Sequence, residues 1–98
     1  MALYLVVHTP RPDAEDAVRS PSRLLELARA TGGELATPRW LRIWSPDLHD
    51  DRIFSLWEAR DGDEIRAAME RFGFLDDMTA ETLRVREWGP TEVLAAEA

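Results

Sequence analysis

The chain has 98 residues, which is enough for one domain built around one hydrophobic core. It contains no cysteine, so disulfides, iron–sulfur clusters and thiolate chemistry are excluded. Its formal net charge is −7 and all twelve cations are arginines. Non-specific binding to nucleic acid is therefore disfavoured, because the phosphates would be repelled.

The first stretch of the chain predicts a strand followed by a helix. Ala2 to Val7 is a short aliphatic run that ends shortly before a proline, which is typical of a buried strand. Ser20-Pro21 indicates a helix start, with serine as the N-cap and proline at the first helical position. The leucines between Leu24 and Ala28 give this helix an apolar stripe, and Gly32-Gly33 ends it.

Two more strands follow in the middle of the chain. Arg39 to Trp44 and Arg52 to Ala59 are both rich in residues that favour strands. The segment between them, residues 45–51, consists mainly of turn-forming residues. We therefore expect a loop that joins a second and a third strand.

A second helix and a fourth strand complete the pattern. Asp61-Gly62-Asp63 supplies the helix cap, and the apolar residues that follow recur at helical spacing: Ile65, Ala68, Met69 and Phe72. Thr82 to Trp88 alternates as a strand does and is stopped by Gly89-Pro90. Residues 91–98 are predicted to be a loose tail or a short arm onto a partner.

The order of these elements is strand, helix, strand, strand, helix, strand. The chain is therefore predicted to be a single α+β domain, residues 1–98, with the ferredoxin-like βαββαβ arrangement. Its four-stranded antiparallel sheet would carry two helices on one face. The other face must then meet water, a ligand or another subunit.

Alternation along the strands separates the side chains into two sets, one for each face of the sheet. The more aliphatic set, which we expect to face the helices, is Leu3, Leu5, Val7, Leu41, Ile43, Phe54, Leu56, Leu83 and Val85. The set expected on the face away from the helices is Tyr4, Val6, His8, Trp40, Arg42, Trp44, Ser55, Trp57, Arg84, Arg86 and Trp88.

This sorting places all four tryptophans on one face of the sheet. Soluble monomers rarely expose so large an apolar patch, so we expect something to cover it. Most oligomers are symmetric and self-complementary, which makes a second copy of the chain the simplest cover. Tryptophan, tyrosine and arginine are also the residue types that dominate interface energetics. The sequence therefore predicts a homodimer.

Four segments of the chain carry a likeness to known proteins, namely Tyr4 to Thr9, Trp40, Arg52 to Arg66 and Gly73 to Asp77. Through them the chain resembles, from Ala2 to about Glu87, a family of short bacterial domains of unknown function, some of which are described as nickel-binding. It implies the dimeric α/β-barrel superfamily, in which two such sheets pack face to face. The family often carries a histidine two residues after this tryptophan, and here that position is Arg42, which is not a metal ligand.

Three functions are open on these residues. The first is a small-molecule-binding homodimer in which the tryptophans stack on a small aromatic or anionic molecule and Arg42, Arg84 or Arg86 holds the anionic group. The second is a cofactor-independent monooxygenase or isomerase, as other barrels of this architecture are, with His8 as the proton carrier, assisted by Ser55 or Tyr4.

The third function, which the resemblance implies, is divalent metal binding. Nickel would then bind through His8 or His49 and a nearby carboxylate such as Asp50. No other cofactor is expected. The first residues lack a signal peptide, and no apolar run approaches the roughly 20 residues that cross a bilayer. We therefore expect a cytoplasmic protein without membrane association.

Overall fold

The computed structural model describes residues 1–11, 23–46, 51–76 and 78–97. Four strands form one antiparallel sheet in the order β2-β3-β1-β4, and they are β1 (Ala2–His8), β2 (Arg39–Trp44), β3 (Ile53–Ala59) and β4 (Glu81–Val85). Helix α1 (Leu24–Thr31) lies between β1 and β2 in the chain, and α2 (Gly62–Arg71) lies between β3 and β4. This arrangement confirms the predicted ferredoxin-like fold.

The bounds differ from the sequence prediction mainly near β4. This strand ends at Val85 rather than Trp88, because Val85 pairs with Leu3 and β1 begins only one residue earlier. Residues 91–98 were expected to be a loose tail, but the described part of this segment belongs to a third helix, α3 (Pro90–Glu97). A short 3-10 turn (Phe74–Asp76) also follows α2. The helix start expected at Ser20-Pro21 lies outside the described residues.

Helix α2 begins and ends where its local chemistry dictates. The Asp61 side chain accepts a hydrogen bond from the backbone N–H of Glu64 at 2.9 Å, which satisfies one of the free donors of the first turn. Ile65 and Met69 lie one turn apart and are both buried. Gly73 follows with φ of 75°, a left-handed conformation that glycine adopts without steric cost.

The two helices cover the face of the sheet opposite to the one predicted. Val6 and Trp57 are fully buried together with Leu27 of α1 and with Ile65 and Met69 of α2. Residues that pair across neighbouring strands share a face, and the register places Tyr4 and Trp40 beside Trp57, and Val6 beside Ser55. The prediction for Tyr4, Val6, His8, Trp40, Ser55 and Trp57 is therefore wrong, since these residues belong to the helix-covered side.

The physical reason for this inversion lies in side-chain volume. Trp57 is the largest fully buried side chain, and its indole fills the space that the small Val6, Ser55 and Ala59 leave beneath the helices. A β-bulge between Trp40 and Arg42 then reverses the alternation within β2. Trp40 consequently shares a face with Trp57, whereas Arg42 lies on the other side.

The opposite side of the sheet, here called the open face, carries an apolar surface. It consists of Leu3, Leu5, Val7, Phe54, Leu56, Leu83 and Val85, together with Arg39, Arg42, Trp44, Glu58 and Glu81. Within the described part of the chain, none of these side chains is buried. The aliphatic set that was predicted to face the helices thus lies mainly on the uncovered side.

Candidate functional site

A chain of hydrogen bonds runs through the core beneath the helices. The Nε2 atom of His8 lies 2.8 Å from the hydroxyl of Ser55, and the indole N–H of Trp57 donates to the same hydroxyl at 2.8 Å. The other ring nitrogen of His8, Nδ1, lies 3.1 Å from the carbonyl oxygen of Thr79. The network therefore joins β1, β3 and the segment that leads into β4.

The donors and acceptors in this network fix its direction. A carbonyl oxygen only accepts, so Nδ1 of His8 carries the proton and donates to Thr79. In the neutral ring Nε2 is then an acceptor, and the Ser55 hydroxyl donates to it. The indole N–H of Trp57 only donates, so Ser55 accepts from Trp57 while it donates to His8. Every polar atom of the three side chains has a partner in this arrangement.

The histidine of this network is held in its neutral form. Burial lowers the pKa of His8 from 6.5 to about 4, and the hydrogen bond to Thr79 opposes this effect only in part. Phe74 packs against the ring with centroids 4.7 Å apart. His8 and Ser55 are 0% and 1% exposed, so a substrate cannot contact either side chain in this arrangement.

Two of the predicted stacking residues also form part of the core side. Trp40 and Trp57 stack on one another with centroids 6.1 Å apart and ring planes inclined by 17°. The indole N–H of Trp40 donates to the backbone carbonyl of Arg42 at 2.9 Å across the bulge. These two rings therefore stabilise the join between β2 and β3, and their faces contact each other.

The open face brings together a different set of groups. Leu5 and Leu56 are cross-strand partners on the two central strands, and Leu83 lies beside Leu5 on β4. At the β2 edge, Arg42 and Trp44 pair with Leu56 and Phe54 and are both exposed. Of the predicted ligand-binding residues, only Arg42 and Trp44 share this face.

The remaining predicted site residues lie on or beyond β4. Arg84 pairs with Tyr4, which places it towards the helix-covered side, yet it is exposed at the edge of the sheet. Arg86 and Trp88 follow the end of β4 and are also exposed. Trp88 lies next to α3, where it lines a groove of about 420 Å³ with Pro90, Val93 and Leu94.

The metal prediction depends on residues that the structure describes only in part. His49 and Asp50 lie outside the described residues. Within the described ranges, no group of three or more His, Cys, Asp or Glu side chains is placed to hold a metal ion. Both ring nitrogens of His8 are already hydrogen-bonded, so a metal would have to displace Ser55 or Thr79.

The sequence analysis missed that the aliphatic side of the sheet is the one the helices leave uncovered. Its signal is present in the alternation Leu3, Leu5, Val7 and in Phe54 and Leu56, which was attributed to the core. It also missed the capped start of α3. Proline at the first helical position and Glu92 two residues later are the signal for that helix.

No protein-family model, curated protein or solved structure matches the chain. The family resemblance therefore stays a prediction. Among the described residues, no helix has both the length and the apolar composition needed to cross a membrane.

Proposed function

We propose that the protein is a homodimeric small-molecule-binding protein, in which the open faces of two copies meet and enclose the ligand. The observation that carries this proposal is the apolar open face, centred on Leu5 and Leu56, with no described side chain buried there. A contiguous apolar surface of this kind is rare on soluble monomers and marks an interaction site. A second copy covers it with a surface of the same composition.

The ligand class follows from the groups at the β2 edge. Trp44 is 47% exposed on the open face and offers a ring on which an aromatic or apolar body can stack. Arg42, two residues earlier on the same face, offers a guanidinium for a carboxylate, sulfonate or phosphate. A small molecule with an apolar body and one anionic group fits both.

The geometry favours ligand binding over acid–base turnover. The hydrogen bond between His8 and Ser55 is the observation that supports an enzyme, since it resembles a base beside a hydroxyl nucleophile. Both groups are buried beneath the helices, on the side of the sheet away from Arg42 and Trp44. Nickel binding through His49 and Asp50 is tested separately, by isothermal titration of the intact protein.

Native mass spectrometry of the untagged protein tests the homodimer. We expect a dimer for the wild type and a monomer for Leu5→Glu, because the glutamate places a charge at the centre of the open face. Leu25→Glu is the matched control, since Leu25 is 63% exposed on α1, in the helix layer. A monomeric wild type, or dimers of equal strength in all three proteins, would contradict the proposal.

The ligand class is tested with the probe 8-anilinonaphthalene-1-sulfonate, an aromatic anion. We expect saturable binding to the wild-type dimer and roughly ten- to hundredfold weaker binding to Arg42→Gln, because a charge-assisted hydrogen bond contributes about 1.5–3 kcal/mol. Arg29→Gln is the control, since Arg29 is exposed on α1. Equal probe affinity in all three proteins would show that Arg42 does not hold the anionic group.

A further inference from the structure

Helix α3 is locally well formed but packs on little of its own chain. The backbone N–H of Gly89 donates to the carboxylate of Glu92 at 2.8 Å, and the N–H of Val93 donates to the carbonyl of Gly89 at 3.1 Å. This cap fixes the first turn of the helix. None of the described residues of α3 is buried, however. Isolated helices shorter than about 12–15 residues are marginal in water, so α3 needs a surface to pack against.

The side chains of α3 indicate an apolar environment on more than one side. Residues 93–96 are valine, leucine and two alanines, and four consecutive positions extend most of the way around a helix. Leu94 is 70% exposed and Trp88, just before the helix, is 69% exposed. The groove between Trp88 and Val93 is lined almost wholly by apolar groups. The exposed apolar side chains of Trp88, Val93 and Leu94 therefore form a surface that a partner could bury.

The charges of this segment are all of one sign. Residues 87–97 contain three glutamates, Glu87, Glu92 and Glu97, and no arginine or lysine. A surface that receives this helix should therefore offer arginine beside apolar groups. The open face does so along β2, where Arg39, Arg42 and Trp44 lie.

One of these arginines is accessible to a carboxylate of another chain. Nη1 of Arg39 lies 3.7 Å from the carboxylate of Glu58, which is longer than a hydrogen bond, and the Arg39 side chain is 32% exposed. An incoming carboxylate can therefore reach the outer nitrogens of this guanidinium. The carboxylates of α3 are acceptors of this kind.

In a dimer whose two-fold axis runs parallel to the strands, the register would place these two features opposite one another. A single row crosses the open face through Val85, Leu3, Glu58 and Arg39, from the β4 edge to the β2 edge. When two open faces meet across a two-fold axis parallel to the strands, the β4 edge of one copy lies over the β2 edge of the other. The end of β4 at Val85, from which the chain continues to α3, then lies near Arg39 of the second copy.

We propose that Trp88 and α3 of each copy pack against the β2 edge of the second copy, with a carboxylate of α3 accepting a hydrogen bond from Arg39. This inference rests on the proposed homodimer. Because the dimer is symmetric, each copy donates its α3 to the other, and each binding site is closed by the helix of the other copy. The apolar groups of α3 are then enclosed between two sheet edges.

Cross-linking between engineered cysteines tests this arrangement, and the absence of native cysteine makes the result unambiguous. Ala96→Cys on α3 is mixed with Leu35→Cys, whose side chain is 98% exposed four residues before Arg39, and the subunits are allowed to exchange. We expect a bismaleimide to join the two different chains. Leu25→Cys on α1 replaces Leu35→Cys in the control and should not be joined to Ala96→Cys.

The outcomes separate this inference from the proposed function. A dimer with the Ala96–Leu35 cross-link between chains supports both, whereas a dimer without it overturns the docking of α3 and leaves the homodimer intact. In a variant that carries both Ala96→Cys and Leu35→Cys, a cross-link formed within one chain would also overturn the docking. A monomer overturns both. As a second readout, Leu94→Glu should raise the dimer dissociation constant about tenfold, while Leu25→Glu should leave it unchanged.

Discussion

At the scale of single residues, Trp57, Ser55 and His8 form a chain of hydrogen bonds that is fully buried. A buried polar group is costly unless it is paired, and here each of the three groups satisfies the next. The network can be completed only when β1 and β3 are in the observed register, in which Val6 pairs with Ser55. It therefore favours one register over a slip that would exchange the two faces of the sheet.

The buried His8 should make the protein less stable in mild acid. Its pKa is about 4 in the folded protein and 6.5 in the unfolded chain, so only the unfolded chain takes up the proton between these values. The contribution of neutral His8 to the free energy of unfolding is therefore fully present above pH 6.5. It is lost as the pH drops towards 4, by roughly 3 kcal/mol in total. Urea unfolding at several pH values between 7 and 4.5 measures this loss.

The control for this pH dependence is His8→Asn, which keeps a donor for Thr79 and an acceptor for Ser55 but has no proton to gain. The variant should lose less stability than the wild type between pH 6.5 and 4.5. His49 and all carboxylates are common to both proteins, so the difference belongs to His8. Parallel pH curves for the two proteins would mean that His8 does not titrate on unfolding.

At the scale of elements, the sequence was sufficient to find the four strands and the helices α1 and α2, but not α3. The bounds of β2 were predicted correctly, because strand-forming residues are flanked by Pro38 and by Ser45-Pro46. The cap of α2 at Asp61 was also predicted correctly, because this aspartate stands just before apolar residues that recur at helical spacing. These signals are local, and local chemistry decides where an element begins.

The same local signals did not predict which face of the sheet the helices cover. When both sides of a strand are largely apolar, its sequence does not indicate which side the helices cover. Here the large Trp57 side chain is the one that is fully buried beneath the helices. The bulge after Trp40 depends on pairing with β3, which no pattern within β2 reveals. Only Arg42 and Trp44 of the predicted ligand-binding set therefore remain on the open face.

The cap of α2 should contribute measurably to stability. Asp61→Ala removes the acceptor for the backbone N–H of Glu64 and should lower the free energy of unfolding by about 1 kcal/mol. Asp61→Asn is the control, because asparagine caps helices about as well as aspartate. Urea denaturation distinguishes the two variants. Equal losses in both would indicate that the charge of Asp61, rather than its hydrogen bond, stabilises the helix.

At the scale of the whole molecule, the fold is a slab with one covered side. Its principal dimensions are 54, 33 and 20 Å, and the shortest corresponds to one sheet with one layer of helices, each about 10 Å thick. Among the described residues, the core lies between these two layers, around Trp57, Ile65 and Met69. Domains of this size bury a modest share of their surface, so pairing of the open faces would supply the second apolar layer.

The stability of a paired slab should depend on protein concentration. If folding and association are coupled, mass action raises the melting temperature as the protein is concentrated, by about 4 °C for each tenfold increase when two chains of this length unfold together. Differential scanning fluorimetry across two decades of concentration measures this shift. In Leu5→Glu the shift should disappear, because a charge at the centre of the open face prevents association, whereas Leu25→Glu should keep it. A melting temperature that is constant in the wild type would show that the open face does not contribute to folding through a second copy. The apolar surface would then serve a different partner.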